Sequence, residues 1–181
     1  MSDTQPVCLL DAPKMAAALE RLADTILGSC AQDPNLVLIG IRTRGLPLAE
    51  RLRERLMART GQALPLGTLD ITLYRDDIAE KRGVPIVRPT EIPFPLKDKV
   101  VLLVDDVAFT GRTVRAALDA LQDHGRPRKV LYAVLVDRGG RELPIQPDFV
   151  GATLEVAPGQ RVRVKMRELD QEDGVYLETS N

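Results

Sequence analysis

Three uninterrupted apolar runs of strand length constrain this chain most: Leu36–Ile41 (LVLIGI), Lys99–Val104 (KVVLLV) and Val130–Val136 (VLYAVLV). Strands that alternate apolar and polar residues keep one face in water, whereas runs this continuous must be covered on both faces. A helical pattern neighbours each run. Asp11 is placed to cap a segment burying Met15, Leu19, Leu22 and Ile26; Pro47 to Ala58 buries Leu48, Leu52 and Leu56; Val114 to Asp123 turns Leu118 and Leu121 inward. Alternating strands and helices predict an α/β fold, a central mainly parallel sheet flanked by helices. In such sheets ligands bind beyond the carboxyl ends of the strands, here the loops after Ile41, Val104 and Val136.

Flanking segments complete the expected architecture. Val7–Leu10 is a candidate first strand and Gly67–Leu73 a third; about residues 74–97, rich in proline and charge, form an exposed excursion. Near the C-terminus Val162, Val164 and Met166 alternate with Arg161, Arg163, Lys165 and Arg167, and a turn at Asp170–Gly174 leads into Val175–Thr179. That pattern predicts a β-hairpin over about 160–179. No repeat or linker divides the chain, so residues 1–181 are expected to form one domain.

A composition of 44% apolar and 28% charged residues, with net charge −1, fits an ordinary globular protein and excludes a chain built as a general polyanion binder. Cys8 and Cys30 have no partners at metal-ligand spacing and are expected as small core residues in a reducing cytoplasm. No leader-like or 18-residue apolar segment occurs, which again points to the cytoplasm. His124, the single histidine, falls at a helix end, so no Ser/His or Cys/His nucleophile is available.

The run ending at Val104 leads into Asp105, Asp106, Val107, Ala108, Phe109, Thr110, Gly111, Arg112 and Thr113, where a helix opens. A helix N-terminus offers unpaired N–H groups and positive dipole, Gly111 lets the backbone approach, and two threonine hydroxyls add donors: a cradle for a monophosphate. Paired carboxylates at a buried strand end require groups that donate hydrogen bonds to them, and vicinal ribose hydroxyls do so. A capped strand-loop-helix turn accounts for Thr110 and Gly111 but leaves the acids unexplained. After Ile41, Thr43, Arg44 and Gly45 offer a loop and a guanidinium suited to a pyrophosphate oxyanion, the alternative being plain surface charges at Arg42 and Arg44.

The segment VLLVDDVAFTGRT resembles the phosphoribosyl pyrophosphate loop of type I phosphoribosyltransferases. Four blocks in order, IGIRTRGLPLA (39–49), LDITLYRDD (69–77), VDDVAFTGRTVRAALDAL (104–121) and AVLVDRGGRELPIQPDFVG (133–151), resemble the branch that couples uracil phosphoribosyltransferase activity to attenuation of pyrimidine operons. The resemblance implies that residues 105–113 bind the ribose-phosphate, that Thr43, Arg44, Gly45 and Arg75 bind pyrophosphate, and that Val136 and Arg138 hold uracil through main-chain groups. It implies a flexible lid over about 74–97, Mg²⁺ carried mainly by the substrate, and UMP or UTP as effectors. It also implies a homodimer or higher homo-oligomer. Catalysis is then positioning and leaving-group neutralisation by Arg44, Arg75 and the metal, with Asp105 and Asp106 on the ribose.

In that branch a basic face also binds pyrimidine operon leader mRNA. Lys14, Arg21, Arg161, Arg163 and Lys165 are the candidates here. The branch usually places arginines, a threonine and a histidine where this chain has Ala16, Ala17, Glu20 and Asp24; it carries histidine where this chain has Gly140, and a PTS stretch where this chain has EVAP (155–158). Lost cations and added acids weaken phosphate attraction, so weak or altered RNA binding is expected. Charges on outer strands also serve simply to block edge pairing. Three readings stay open: enzyme and RNA-binding regulator, enzyme alone, or nucleotide-sensing regulator alone. A purine- or orotate-specific transferase is the rival in substrate.

Overall fold

The structure, a computed structural model, describes residues 6–77 and 86–179. A five-stranded parallel sheet forms the centre. Its strands are β2 (Leu36–Ile41), β3 (Leu66–Leu69), β4 (Val100–Ala108), β5 (Lys129–Asp137) and β6 (Phe149–Thr153), in the spatial order β3-β2-β4-β5-β6. The three apolar runs, in β2, β4 and β5, therefore lie at its middle. Helices α1 (Ala12–Ser29) and α2 (Gly45–Thr60) cover one face, and α3 (Arg112–Gln122) the other. Asp11 caps α1 as its position implies, accepting the Lys14 amide at 3.0 Å.

Side-chain alternation divides the sheet cleanly. Leu36, Leu38, Leu102, Ala133 and Leu135 pack under α1 and α2, while Val37, Ile39, Leu103, Tyr132 and Val134 pack under α3. A second, antiparallel sheet in the order β1-β8-β7 joins β1 (Val7–Leu10) to the C-terminal hairpin of β7 (Gln160–Lys165) and β8 (Gly174–Thr179). A short helix α4 (Arg167–Asp170) bridges β7 and β8.

Several expectations need correction. The third strand ends at Leu69, and Thr72–Tyr74 forms a 3-10 turn because Asp70 takes the Thr72 amide at 2.7 Å, a local bond that competes with the ladder. β4 runs four residues past Val104, so Asp105 and Asp106 lie within the strand and not after it. β6 was not anticipated: its five residues carry Gly151, whose missing Cβ would lie 2.7 Å from Leu135 O and 3.0 Å from Ala18 O, so the strand trades side chain for close packing. Cys8 is exposed on β1 and only Cys30 packs partly against the core. Of the expected lid, residues 78–85 lie outside the described residues. Its later part is tied down: Glu91 bridges Thr68, Leu96 is buried, and Ile92 and Phe94 pack on the α3-side core. Arg167 leaves the cationic stripe by starting α4, while the backs of Arg161, Arg163 and Lys165 bury Val162 and Val164. No helix among the described residues is long and apolar enough to cross a membrane.

Candidate active site at the carboxyl end of the parallel sheet

β4 delivers Asp105 and Asp106 to the top of the sheet, Asp105 buried and Asp106 half-buried. Each carboxylate takes a backbone amide, Asp106 N to Asp105 Oδ1 at 2.9 Å and Val107 N to Asp106 Oδ1 at 3.0 Å. These bonds orient the pair without neutralising it. Burial pushes the Asp105 carboxyl well above the usual carboxylate range, with the Asp106 charge adding to it, and burial also raises Asp106. The opposing fields come from Arg75 on Asp105 and Arg44 on Asp106.

Phe109, Thr110 and Gly111 lead from β4 into α3. Gly111 takes φ +92° at the helix N-cap, and a Cβ there would meet Leu143 Cβ at 3.2 Å, so both conformation and space call for glycine. The α3 N-terminus has no side-chain cap. Arg112 N reaches Thr110 Oγ1 at 3.3 Å, and the other first-turn amides are available to an anion. The loop after β5 braces this turn from outside. Glu142 N and Leu143 N bond Thr110 O at 2.9 and 3.0 Å. Arg141 bonds Phe109 O at 2.8 Å, Ile145 O at 3.0 Å and Asp137 Oδ2 at 2.7 Å.

A cavity of about 210 Å³ opens here, lined by residues 107–114, by Arg75, Asp76 and Asp77, and by Tyr132, Arg141 and Ile145. The structure thus gathers Arg75 and the whole of Val107–Thr113 around one space. Arg75 is clamped by Asp77 at 2.8 and 2.9 Å, and Arg112 spans Glu142 and Asp76, each at 2.7 Å, closing the rim.

The loop after β2 stands beside it. The Arg42–Thr43 peptide is cis, and Gly45 opens α2 against β4, where a Cβ would lie 2.3 Å from Val104 O. Only glycine lets α2 start that close to the acids. Arg44 does not point freely into solvent: its Nε bonds Val164 O at 2.6 Å and its Nη2 bonds Asp170 at 3.0 and 3.2 Å, tying this loop to the second sheet. Thr43 is exposed and accepts Arg88 Nη1 at 2.9 Å. Arg42, expected as a surface charge, is partly buried and bonds Thr68 Oγ1 at 3.2 Å.

Val136 and Arg138 sit at the end of β5, with Val136 fully buried in the α1/α2-side core. Arg138 is also buried, its guanidinium 3.9 Å from the Phe109 ring centroid and bonded to Gln160 O at 2.7 Å, while its amide bonds Ala108 O at 3.1 Å. A Cβ on Gly140 would lie 2.6 Å from Phe109 Cε2, so the ring occupies the space that a side chain at 140 would need. Tyr132, Arg88, Arg141 and Asp170 were not singled out from the sequence. Arg141 lies within the DRGGRELPI stretch, but Tyr132 reads there as one more apolar strand residue. Among the described residues no group of three or more His, Cys, Asp or Glu side chains is placed to hold a metal ion.

The cations considered for RNA lie elsewhere. Lys14 is exposed, 4.0 Å from Asp11. Arg21 reaches Gly151 O at 3.3 Å. Arg163 faces Asp170 and Glu178 at 3.7 and 3.6 Å, and Lys165 pairs with Glu172 at 2.6 Å; Arg161 forms no ion pair among the described residues. Glu20 and Asp24 are themselves answered by α2: Arg55 bonds Glu20 at 2.6 Å, and Arg59 bonds Glu20 at 2.5 Å and also Asp24.

Comparison with known proteins places this geometry. The phosphoribosyl transferase domain matches residues 8–167. The bifunctional protein PyrR of Thermus aquaticus is 52% identical over 169 residues, covering 93% of each chain, and that of Alkaliphilus metalliredigens is 49% identical over 174 residues, covering 96% of each. Among solved structures, a hypoxanthine phosphoribosyltransferase from Staphylococcus aureus superposes with TM-score 0.67 at 20% identity, covering 97% of this chain and 91% of that one. That of Trypanosoma cruzi gives 0.69 at 16%, covering 96% and 97%. At such identities the two structures speak to the fold alone.

Proposed function

Because this chain belongs to the phosphoribosyl transferase family and to its PyrR branch, we propose that it transfers the phosphoribosyl group of phosphoribosyl pyrophosphate to uracil and regulates pyrimidine genes through leader mRNA. In the transfer, a uracil nitrogen forms the bond to the anomeric carbon as the bond to pyrophosphate breaks. The pyrophosphate leaves with the electron pair, and the uracil N–H proton is released. The products are UMP and pyrophosphate. The observation that carries the reading is the pair Asp105 and Asp106 near the carboxyl end of an otherwise apolar strand, which the Phe109–Gly111 turn joins to an uncapped helix N-terminus.

Each residue's role follows from its surroundings. Asp105 and Asp106, oriented by amides and short of cations, suit acceptance of the ribose hydroxyls. Thr110, Gly111, Arg112 and Thr113 supply donors to the monophosphate. Arg75, on the cavity wall and within the field of Asp105, suits the pyrophosphate. Arg44 acts on pyrophosphate either by leaving Asp170 or by holding the Thr43–Gly45 loop in place from there. The donor set fits Mg²⁺ carried chiefly by substrate oxygens, since the acids present are two neighbours and not a cage. When bound, that ion supplies charge neutralisation on the leaving group. Uracil is placed against main-chain groups at Val136–Arg138, beside the Phe109–Arg138 stack.

For regulation, the cations on offer are Lys14, Arg21, Arg161, Arg163 and Lys165, with UMP or UTP as effector and at least a homodimer as the binding form. The pairing of Arg163 and Lys165 with acids, together with Glu20 and Asp24 on α1, favours RNA binding of reduced strength. The test pairs two assays on one preparation. Phosphoribosyl pyrophosphate with Mg²⁺ is offered uracil, orotate and hypoxanthine in turn, and the native leader transcript is titrated with and without UMP. UMP from uracil alone and UMP-dependent RNA binding are expected; a nucleotide from either other base overturns the substrate, and failure to bind RNA removes the regulatory half.

A further inference from the structure

Tyr132 is a buried residue that the reaction described above leaves unused. It sits mid-strand on β5, in register with Leu103 of β4, while Val134 pairs with Asp105. Strands rise about 3.3 Å per residue and alternate faces, so the Tyr132 backbone lies roughly 7 Å below the level of Asp105, on the same α3-side face. Its side chain is long enough to climb back. It lines the cavity under the Phe109–Thr113 turn, and the charges that act on its phenol are Asp105, Asp106, Arg141 and Asp137, all at the top of the sheet.

Tyr132 is 5% exposed, and its hydroxyl makes no hydrogen bond with any described residue. The phenol oxygen is not one of the fully buried polar atoms that lack a partner, so the little exposure left to this residue opens its hydroxyl onto the cavity, a contact that phenylalanine would not offer. Buried tyrosines ordinarily find a partner. Burial together with the two aspartate charges holds the phenol far above its ordinary titration range, so it remains an O–H donor.

We infer that Tyr132 is a substrate-binding residue, its hydroxyl donating to an oxygen of the ribose-phosphate held in the cavity beneath the Phe109–Thr113 turn. The inference rests on the reading of this cavity as the ribose-phosphate site. The cavity's other donors are the first-turn amides of α3, the Thr110 and Thr113 hydroxyls and Arg75, while its two carboxylates, Asp76 and Asp77, are held by Arg112 and Arg75. An anion there completes the phenol's hydrogen bond. A hydroxyl that touches the ribose-phosphate equally before and during transfer contributes uniform binding, which appears in KM and leaves kcat alone.

The test is Tyr132→Phe, read by steady-state kinetics, by calorimetric binding of phosphoribosyl pyrophosphate with Mg²⁺, and by thermal unfolding without ligand. The expected result is a KM and Kd for phosphoribosyl pyrophosphate raised about five- to tenfold, the size of one hydrogen bond, with the KM for uracil and kcat within twofold. The ligand-free Tm should be equal to or above that of the unsubstituted protein. Unchanged affinity in Tyr132→Phe, or weaker binding accompanied by a lower ligand-free Tm, overturns the inference. If the unsubstituted protein itself fails to bind phosphoribosyl pyrophosphate, the reading of the cavity falls and the inference with it.

Discussion

At the carboxyl end of the parallel sheet two carboxylates, Asp105 and Asp106, are left without an ion pair among the described residues, whereas on α1, α2 and β7 the acids Glu20 and Asp24 and the cations Arg163 and Lys165 are answered within the chain. Asp105 and Asp106 share an end of β4 whose nearest cations, Arg75 and Arg44, are already engaged with Asp77 and Asp170. Arg55 and Arg59, by contrast, meet Glu20 and Asp24 directly, and Lys165 and Arg163 meet Glu172, Glu178 and Asp170. The first arrangement carries a cost that only a ligand relieves. The second is settled within the chain and leaves little field for a polyanion. On the proposed reading, one protein keeps a demanding small-molecule site beside a surface with little free cationic field.

The sharpest way to break this contrast is to remove one of the unanswered charges. Asp106→Asn keeps an oxygen for the Val107 amide but loses the carboxylate, and UMP formation should fall on the order of 10²–10³-fold in kcat/KM. Retention of more than a tenth of the activity would deny the carboxylate its role. Next in size is Gly45→Ala, which places a methyl against Val104 O and should destabilise the fold by about 1–3 kcal/mol, visible as a lower denaturation midpoint. An unchanged midpoint would mean that α2 starts further from β4.

Acidity gives a third handle. Both carboxyls titrate above their ordinary range in the ligand-free fold, so the native state holds more protons than the unfolded chain between the ordinary value and the raised ones. Stability should therefore decline as pH rises through that window, beginning at about 4, and the decline should be shallower in Asp105→Asn. A profile identical in the two proteins would place the cost elsewhere. The smallest effect concerns the surface whose charges are paired. Glu20→Ala with Asp24→Ala should cost below about 1 kcal/mol of stability, since these pairs are exposed. It should also steepen the dependence of log K for leader RNA on log salt by about 1–2, as Arg55 and Arg59 become available. RNA binding indifferent to both changes would move the RNA face away from α1 and α2.

Where sequence and structure agree, the signal was periodicity, which burial on two faces enforces. Leu36–Ile41 became β2 to the residue, α1 and α2 bury the apolar residues their spacing selects, and α3 buries Leu121 but covers Leu118 only partly. The proposed ribose-phosphate loop stands out in the sequence because carboxylates are so costly on an apolar strand that their presence demands a reason. What could not be read depended on side-chain direction and long-range partners. Nothing in the sequence says that Arg44 spends its guanidinium on Val164 and Asp170, 120 and 126 residues away. Tyr132 was hidden because a tyrosine between leucine and alanine in a strand reads as core. β6 was missed because a glycine in five residues mimics a turn, and the pairing of Glu20 and Asp24 with α2 depends on how two helices lie together.

The central claim is that Asp105 and Asp106 are held at a cost that substrate repays. Thermal unfolding of the unsubstituted protein and Asp106→Asn, each with and without phosphoribosyl pyrophosphate and Mg²⁺, tests it most directly. The account predicts that Asp106→Asn has the higher Tm without ligand and gains less when phosphoribosyl pyrophosphate is added. A lower ligand-free Tm in Asp106→Asn, or an equal gain in both proteins, would contradict it.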